Sequence, residues 1–189
     1  SEYAGIRIKM PRSIAIIGTG LVGQGWAIVF AQAGYEVRLY DSQPNQASAA
    51  MGQIKQSLAD MATFELISSP QEILDQIVIC PRIEDAVNGV LYVQESVYEE
   101  IEVKNTITQA LDSVCDRQTI IGSSSSGIPS SAFTQDIPGR HRCLIVHPVN
   151  PPYLVKLVEI VPAPWTDPNN VEIVYQLMKD IGQEPIKVD

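Results

Sequence analysis

Two groups of residues in this 189-residue chain have the types and spacing of a chemical site. The first is Gly18-Thr-Gly-Leu-Val-Gly23, set directly between an apolar strand candidate, Ser13–Ile17, and a helix-period segment from Leu21 to Ala33. A Gly-x-Gly-x-x-Gly string alone is weak evidence, because glycine-rich turns are common. Between a strand and a helix it becomes specific. The first glycine permits a tight turn, the second lets a pyrophosphate approach the backbone, and the third lets the helix pack close on the strand. The helix N-terminus then stabilises the anion. The backbone of Gly18, Gly20, Leu21, Val22 and Gly23 is the expected cradle, whereas Gly25 reads as a small packing residue. Asp41 follows the second strand candidate, Glu36–Tyr40, at the distance expected of a ribose-binding acid. A carboxylate there accepts hydrogen bonds from ribose hydroxyls and repels a 2′-phosphate. No Lys or Arg lies between Ser42 and Gln53 to hold such a phosphate, so the cofactor expected is NAD rather than NADP.

The second group is His147, Asn150 and Glu159. Cys143–Val146 is an apolar strand candidate, and Pro148 holds His147 extended at its end. His147 therefore stands at the carboxyl edge of a strand, where open α/β sheets bind ligands. Asn150 lies in a proline-rich turn with Pro148, Pro151 and Pro152. Glu159 sits among Leu157, Val158, Ile160 and Val161, where a carboxylate is costly unless partnered; His147 is a natural partner.

The elements that must position these groups alternate along the chain. Helical patterns at Asn45–Met61, Pro70–Asp75, Val97–Cys115 and Val171–Ile181 separate apolar runs at Ile77–Cys80, Val90–Val93, Thr119–Ile121 and Lys156–Val161, with a last one at Pro185–Val188. This is the pattern of a Rossmann-like, doubly wound α/β fold, a mostly parallel sheet with helices on both faces. Residues 1–10 read as an N-terminal extension and 11–189 as one dinucleotide-binding domain.

Composition narrows the partners. With 13 Lys+Arg against 22 Asp+Glu the net charge is −9, which leaves no basic footprint for nucleic acid or an anionic membrane. No apolar run approaches the roughly 18–20 residues of a membrane span. The three scattered cysteines read as reduced thiols of a cytoplasmic protein, and two histidines with no ligand spacing give no expected metal site.

Taken together, the glycine loop, Ser123-Ser-Ser-Ser126-Gly127, His147-Pro-Val-Asn150-Pro-Pro-Tyr153 and Leu157-Val-Glu159 resemble the NAD-binding domain of the 3-hydroxyacyl-CoA dehydrogenase family. The resemblance covers residues 11–189 and is strongest to its lambda-crystallin (L-gulonate 3-dehydrogenase) branch, with L-carnitine dehydrogenases next. It implies an oxidoreductase in which His147 is the general base and Glu159 orients its ring. Ser126 and Asn150 match residues that bind the reacting oxygen and the nicotinamide end of the cofactor, and Glu99 and Lys104 match positions contacting the cofactor riboses. Local alternatives stay open. Ser96-x-x-Glu99 also reads as a capping box, Lys104 as the i+4 partner of Glu100, and the serine run as a plain loop.

The family further implies a helical C-terminal domain, absent from this chain, that closes the substrate cleft and forms a homodimer. Its acyl-CoA members bind the CoA phosphates with basic residues after the second strand. Here Lys55 is the single basic residue between Ser42 and Cys80, against Asp60, Glu65, Glu72 and Asp75. A small 3-hydroxy acid such as L-gulonate is therefore the expected substrate, with an (S)-3-hydroxyacyl-CoA such as 3-hydroxybutyryl-CoA as the alternative. A non-catalytic NAD(H)-binding structural or sensor module is the alternative from another class.

Overall fold

The computed structural model describes residues 12–189, so the proposed extension 1–10 lies outside the described residues. β1 (Ser13–Ile17) is buried on both faces because it is central and parallel: Ile14 and Ile16 enter one core cluster, Ala15 and Ile17 the other. α1 (Leu21–Gln32) is buried from Gly23 to Ala31, and Gly34 turns the chain behind it at φ +92°. β2 (Glu36–Tyr40) pairs parallel to β1, and α2 (Gln46–Thr63) and α3 (Pro70–Leu74) lead to the short β3 (Ile77–Ile79).

The chain then crosses to the other side of β1. α4 (Ile83–Val87) precedes β4 (Tyr92–Glu95), and α5 (Ile101–Val114) leads to β5 (Ile120–Ser123). The short α6 (Ser131–Thr134) is followed by β6 (Cys143–Pro148), β7 (Leu157–Pro162), α7 (Pro168–Asp180) and β8 (Glu184–Lys187). The eight strands lie in the order β3-β2-β1-β4-β5-β6-β7-β8, all pairings parallel except β6 with β7. Strand order reverses at β1, whose neighbours are β2 and β4, and the crevice beyond the carboxyl ends of β1 and β4 is the expected ligand position in such a sheet.

Where the elements depart from the expected bounds, side chains explain it. β4 runs to Glu95 rather than stopping at Val93, because the fully buried Gln94 and Glu95 have polar partners across the sheet. α5 starts at Ile101, not Val97, because the Val97 N–H is taken by Glu95 and its carbonyl by the Lys104 ammonium rather than by helix partners. α4 and α6 are too short to show a helical period in sequence. Beyond α5, Arg142 is buried and binds the Asp112 carboxylate at 2.9 Å and the Asp112 and Thr119 carbonyls at 3.1 and 3.3 Å, tying the end of that helix to β6. Burial pushes the Cys143 thiol up to about 12 and the Cys115 thiol to about 11, which keeps both protonated. Among the described residues, no helix is long and apolar enough to cross a membrane.

Candidate active site

The glycine loop follows β1 as the sequence anticipates. Gly18 has φ +94°, and its N–H donates to the Tyr40 carbonyl at 2.9 Å, locking the turn to the end of β2. A Cβ on Gly18 would lie 2.7 Å from the Ser96 carbonyl group, and one on Gly23 would lie 2.0 Å from the Gly18 oxygen. Both positions therefore exclude any side chain. Gly20 is different: nothing lies within 4 Å of where its Cβ would be. That open space is where a diphosphate would rest on the backbone. Gly20 also caps α1, with no capping side chain and no acid in the first turn, so the helix N-terminus is free to meet an anion. Leu21 and Val22 begin the helix, Leu21 largely exposed.

Asp41 stands beside the loop. One carboxylate oxygen accepts from the Thr19 N–H and hydroxyl, both at 2.9 Å; the other accepts from the Gln43 N–H at 2.9 Å. Three bonds leave acceptor capacity on a carboxylate with about four lone-pair sites, enough for a ribose hydroxyl. Arg38, the nearest cation on β2, turns away to Glu36 and the Asp85 and Asn88 carbonyls. A cleft of about 870 Å³ opens here, lined by the loop, Asp41, Val97, Tyr98 and the exposed side of α5. Its size and its chemistry suit a dinucleotide.

Glu99 and Lys104 do other things than their local patterns suggest. The Ser96 hydroxyl lies 2.7 Å from that of Ser124 and caps no helix; Glu100, not Ser96, is the N-cap of α5. The capping-box reading is thereby corrected. Glu99 accepts from the Ser125 hydroxyl and, at 3.4 Å, from the Ser126 N–H. Lys104 does not pair with Glu100 on the helix surface. It is 1% exposed, and its Nζ donates to Glu95 at 2.8 Å and to the Val97 carbonyl at 3.1 Å. Glu95 also accepts from the Val97 N–H at 2.8 Å and the Ser123 hydroxyl at 2.6 Å. Sequence reasoning missed Glu95; a carboxylate closing an apolar strand was the available signal.

These contacts sort the four serines. Ser123 is held by Glu95, Ser124 by Ser96 and Gln94, and Ser125 by Glu99. Among the described residues, Ser126 alone of the four has a hydroxyl with no partner, and it is exposed. The loop thus presents one hydroxyl and fixes the other three.

His147 and Glu159 are directly opposed in the antiparallel β6–β7 register, which places both side chains on the same face of the sheet. They share no hydrogen bond or ion pair in the structure. Instead, His147 Nδ1 lies 3.3 Å from the Ser124 carbonyl oxygen. A carbonyl only accepts, so this contact is a hydrogen bond when Nδ1 carries the proton, the neutral tautomer that leaves the lone pair on Nε2. Asn150 is exposed at the tip of the proline turn. That turn docks on α1: Pro152 Cδ lies 2.6 Å from where a Gly25 Cβ would be. Gly25 is therefore a packing residue, and its partner is the turn that carries Asn150.

A doubly wound sheet with a glycine loop at its switch point and an acid after β2 defines a dinucleotide-binding Rossmann domain. Residues 13–189 match the 3-hydroxyacyl-CoA dehydrogenase NAD-binding domain, and the chain belongs to that family. Lambda-crystallin of Oryctolagus cuniculus is 40% identical over 179 residues, covering 93% of this chain and 56% of that protein. A 3-hydroxyacyl-CoA dehydrogenase of Gibberella moniliformis is 34% identical over 180 residues, with 93% and 54% covered. The 3-hydroxybutyryl-CoA dehydrogenase structure from Escherichia coli K12 superposes with a TM-score of 0.88 at 28% identity, over 94% of this chain and 38% of that one. The chain spans about half the length of the curated relatives it matches.

Proposed function

We propose that the protein oxidises the secondary alcohol of a small 3-hydroxy acid, L-gulonate being the leading candidate, with NAD as oxidant. The observation that carries this reading is His147, at the carboxyl edge of β6 with Nδ1 turned to the Ser124 carbonyl, in the same serine loop that leaves the Ser126 hydroxyl unpartnered. Nε2 accepts the proton of the substrate hydroxyl. Ser126 and Asn150 hold the reacting oxygen, and Glu159, opposite His147, stabilises the imidazolium by its charge. Bound NAD supplies the hydride acceptor, held by the glycine loop and Asp41. Lys104 and Glu99 serve it indirectly, by fixing the cleft wall at Val97 and the serine loop.

The lambda-crystallin relatives favour the small acid, and so does charge. In the structure α2 and α3, the segment after β2, carry Lys55 against Asp60 and Glu72, a poor surface for a polyanionic CoA head. The second reading, an (S)-3-hydroxyacyl-CoA substrate, draws on the Gibberella relative and the Escherichia coli structure. Leu154, Val155, Leu157 and Ile186 are exposed apolar residues on and near β7 and β8, and we assign to that face the contact with a further domain through which the whole protein forms a homodimer. The free cysteines fit a cytoplasmic location.

The test is NADH formation by the whole protein over a panel of small 3-hydroxy acids and 3-hydroxybutyryl-CoA, run with NAD and with NADP. Turnover is expected on a small acid, with NADH binding at least about tenfold tighter than NADPH in fluorescence titration because Asp41 repels a 2′-phosphate. Turnover confined to the CoA ester would replace the substrate assignment. Binding without turnover on any member would favour the non-catalytic module.

A further inference from the structure

We propose that Gln94 is a positioning residue that sets the tautomer of His147, acting across an intervening strand through Ser124 and Val146. Gln94 lies on β4, is fully buried, and is not adjacent to β6, because β5 runs between them. Its Nε2 nevertheless donates to the Val146 carbonyl at 3.0 Å and to the Ser124 hydroxyl at 2.7 Å. Gly122 makes the crossing possible. It is the register partner of Gln94 on β5, and a Cβ there would lie 2.0 Å from the Tyr92 hydroxyl and 2.9 Å from a Val146 methyl. A missing side chain in the middle strand is thus the window through which Gln94 reaches β6, with the Tyr92 hydroxyl filling the same space.

The two groups that Gln94 joins flank the contact that matters. Val146 precedes His147, and Ser124 supplies the carbonyl facing His147 Nδ1. The β5–β6 ladder ends at Ser123 and Ile145, so backbone pairing between those two strands does not reach either residue. The Gln94 amide continues the cross-link past the end of the ladder. Its own orientation is fixed: its Oε1 accepts from the Tyr92 hydroxyl, which stays protonated because burial drives its pKa well above the usual value. With Oε1 so engaged, the NH2 must face Ser124 and Val146. The Ser124 hydroxyl in turn meets Ser96, on the cofactor cleft. One buried amide therefore links the cleft wall to the ring nitrogen that does not do the chemistry, leaving Nε2 as the base.

The consequence for catalysis rests on the proposed role of His147, but the tautomer can be read without turnover. The chain has two histidines, His147 and the exposed His141, so two-bond 15N–1H correlation on 15N-histidine-labelled 1–189 gives two resolvable rings. In the neutral ring His147 is expected mainly as the Nδ1–H form, and His141 serves as the reference ring in the same spectrum. Gln94→Leu should move His147 towards the Nε2–H form, and Gln94→Glu should not restore it, because a carboxylate lacks the two donors. Tyr92→Phe, which leaves the amide free to flip, should shift His147 part of the way and decides the matter if Gln94→Leu does not fold. NADH titration on each variant reports whether the domain is intact. An unchanged His147 tautomer in a folded variant overturns the proposal. It would leave the general-base reading untouched, since that stands or falls on the turnover of His147 variants.

Discussion

His147→Gln in the whole protein is expected to lower turnover by roughly 10²-fold or more while leaving NADH affinity nearly unchanged. The separation follows from the layout. The cradle of Gly18, Gly20 and Gly23 with Asp41 lies at the ends of β1 and β2, and none of its hydrogen bonds involves His147. Glutamine can keep a donor towards the Ser124 carbonyl, but it offers no basic nitrogen to the substrate hydroxyl. Glu159→Gln should cost less, because Glu159 faces His147 in register without bonding to it, so the proposed role is one of charge and the base itself stays. Steady-state rates and fluorescence titration on the same preparations check both points. Near-normal turnover of His147→Gln would remove it as the base.

Lys104→Met is expected to destabilise the domain by about 3–5 kcal/mol, the usual cost of removing one partner from a buried ion pair. Both side chains are about 1% exposed, and the change strands the Glu95 carboxylate with only the Val97 N–H and the Ser123 hydroxyl. For a domain of this size that loss corresponds to a fall in melting temperature of about 6–20 °C. Pairing Lys104→Met with Glu95→Gln should recover part of it, since the stranded charge is then gone. Thermal melts of the single and double variants measure this directly. The ribose-contact reading makes the opposite forecast: weaker NADH binding at an unchanged melting temperature.

The parts legible in the sequence were those with a strong local signature. Gly18, Gly20 and Gly23 followed an apolar strand and opened a helix, and Asp41 came at the right distance; each lies at the switch point where the pattern put it. The helices and strands with clear periods came within a few residues of their bounds. What stayed hidden depends on contacts between distant segments. Ser96-x-x-Glu99 looked like a capping box because sequence shows only the near neighbours, whereas the partners of both residues lie on the serine loop, 26 to 28 positions away. Lys104 reads in sequence either as a ribose contact or as the i+4 partner of Glu100, and neither pattern shows Glu95, which β4 brings to its Nζ. Gln94 carried no signal at all, since its partners lie on the serine loop and on β6, two strands over. The serine run was ambiguous for the same reason: only the identity of each partner separates Ser126 from the other three.

Isotope tracing tests the central claim most directly. The whole protein is given NAD and a small 3-hydroxy acid carrying deuterium on carbon 3, L-gulonate first, and the NADH formed is read by mass spectrometry. In the proposed reaction that carbon–hydrogen bond would break, with bound NAD accepting the hydride and His147 the hydroxyl proton. One deuterium should therefore appear in NADH and none in solvent, in step with formation of the 3-oxo acid. NADH without the label, or label released to water, would contradict direct hydride transfer at this site.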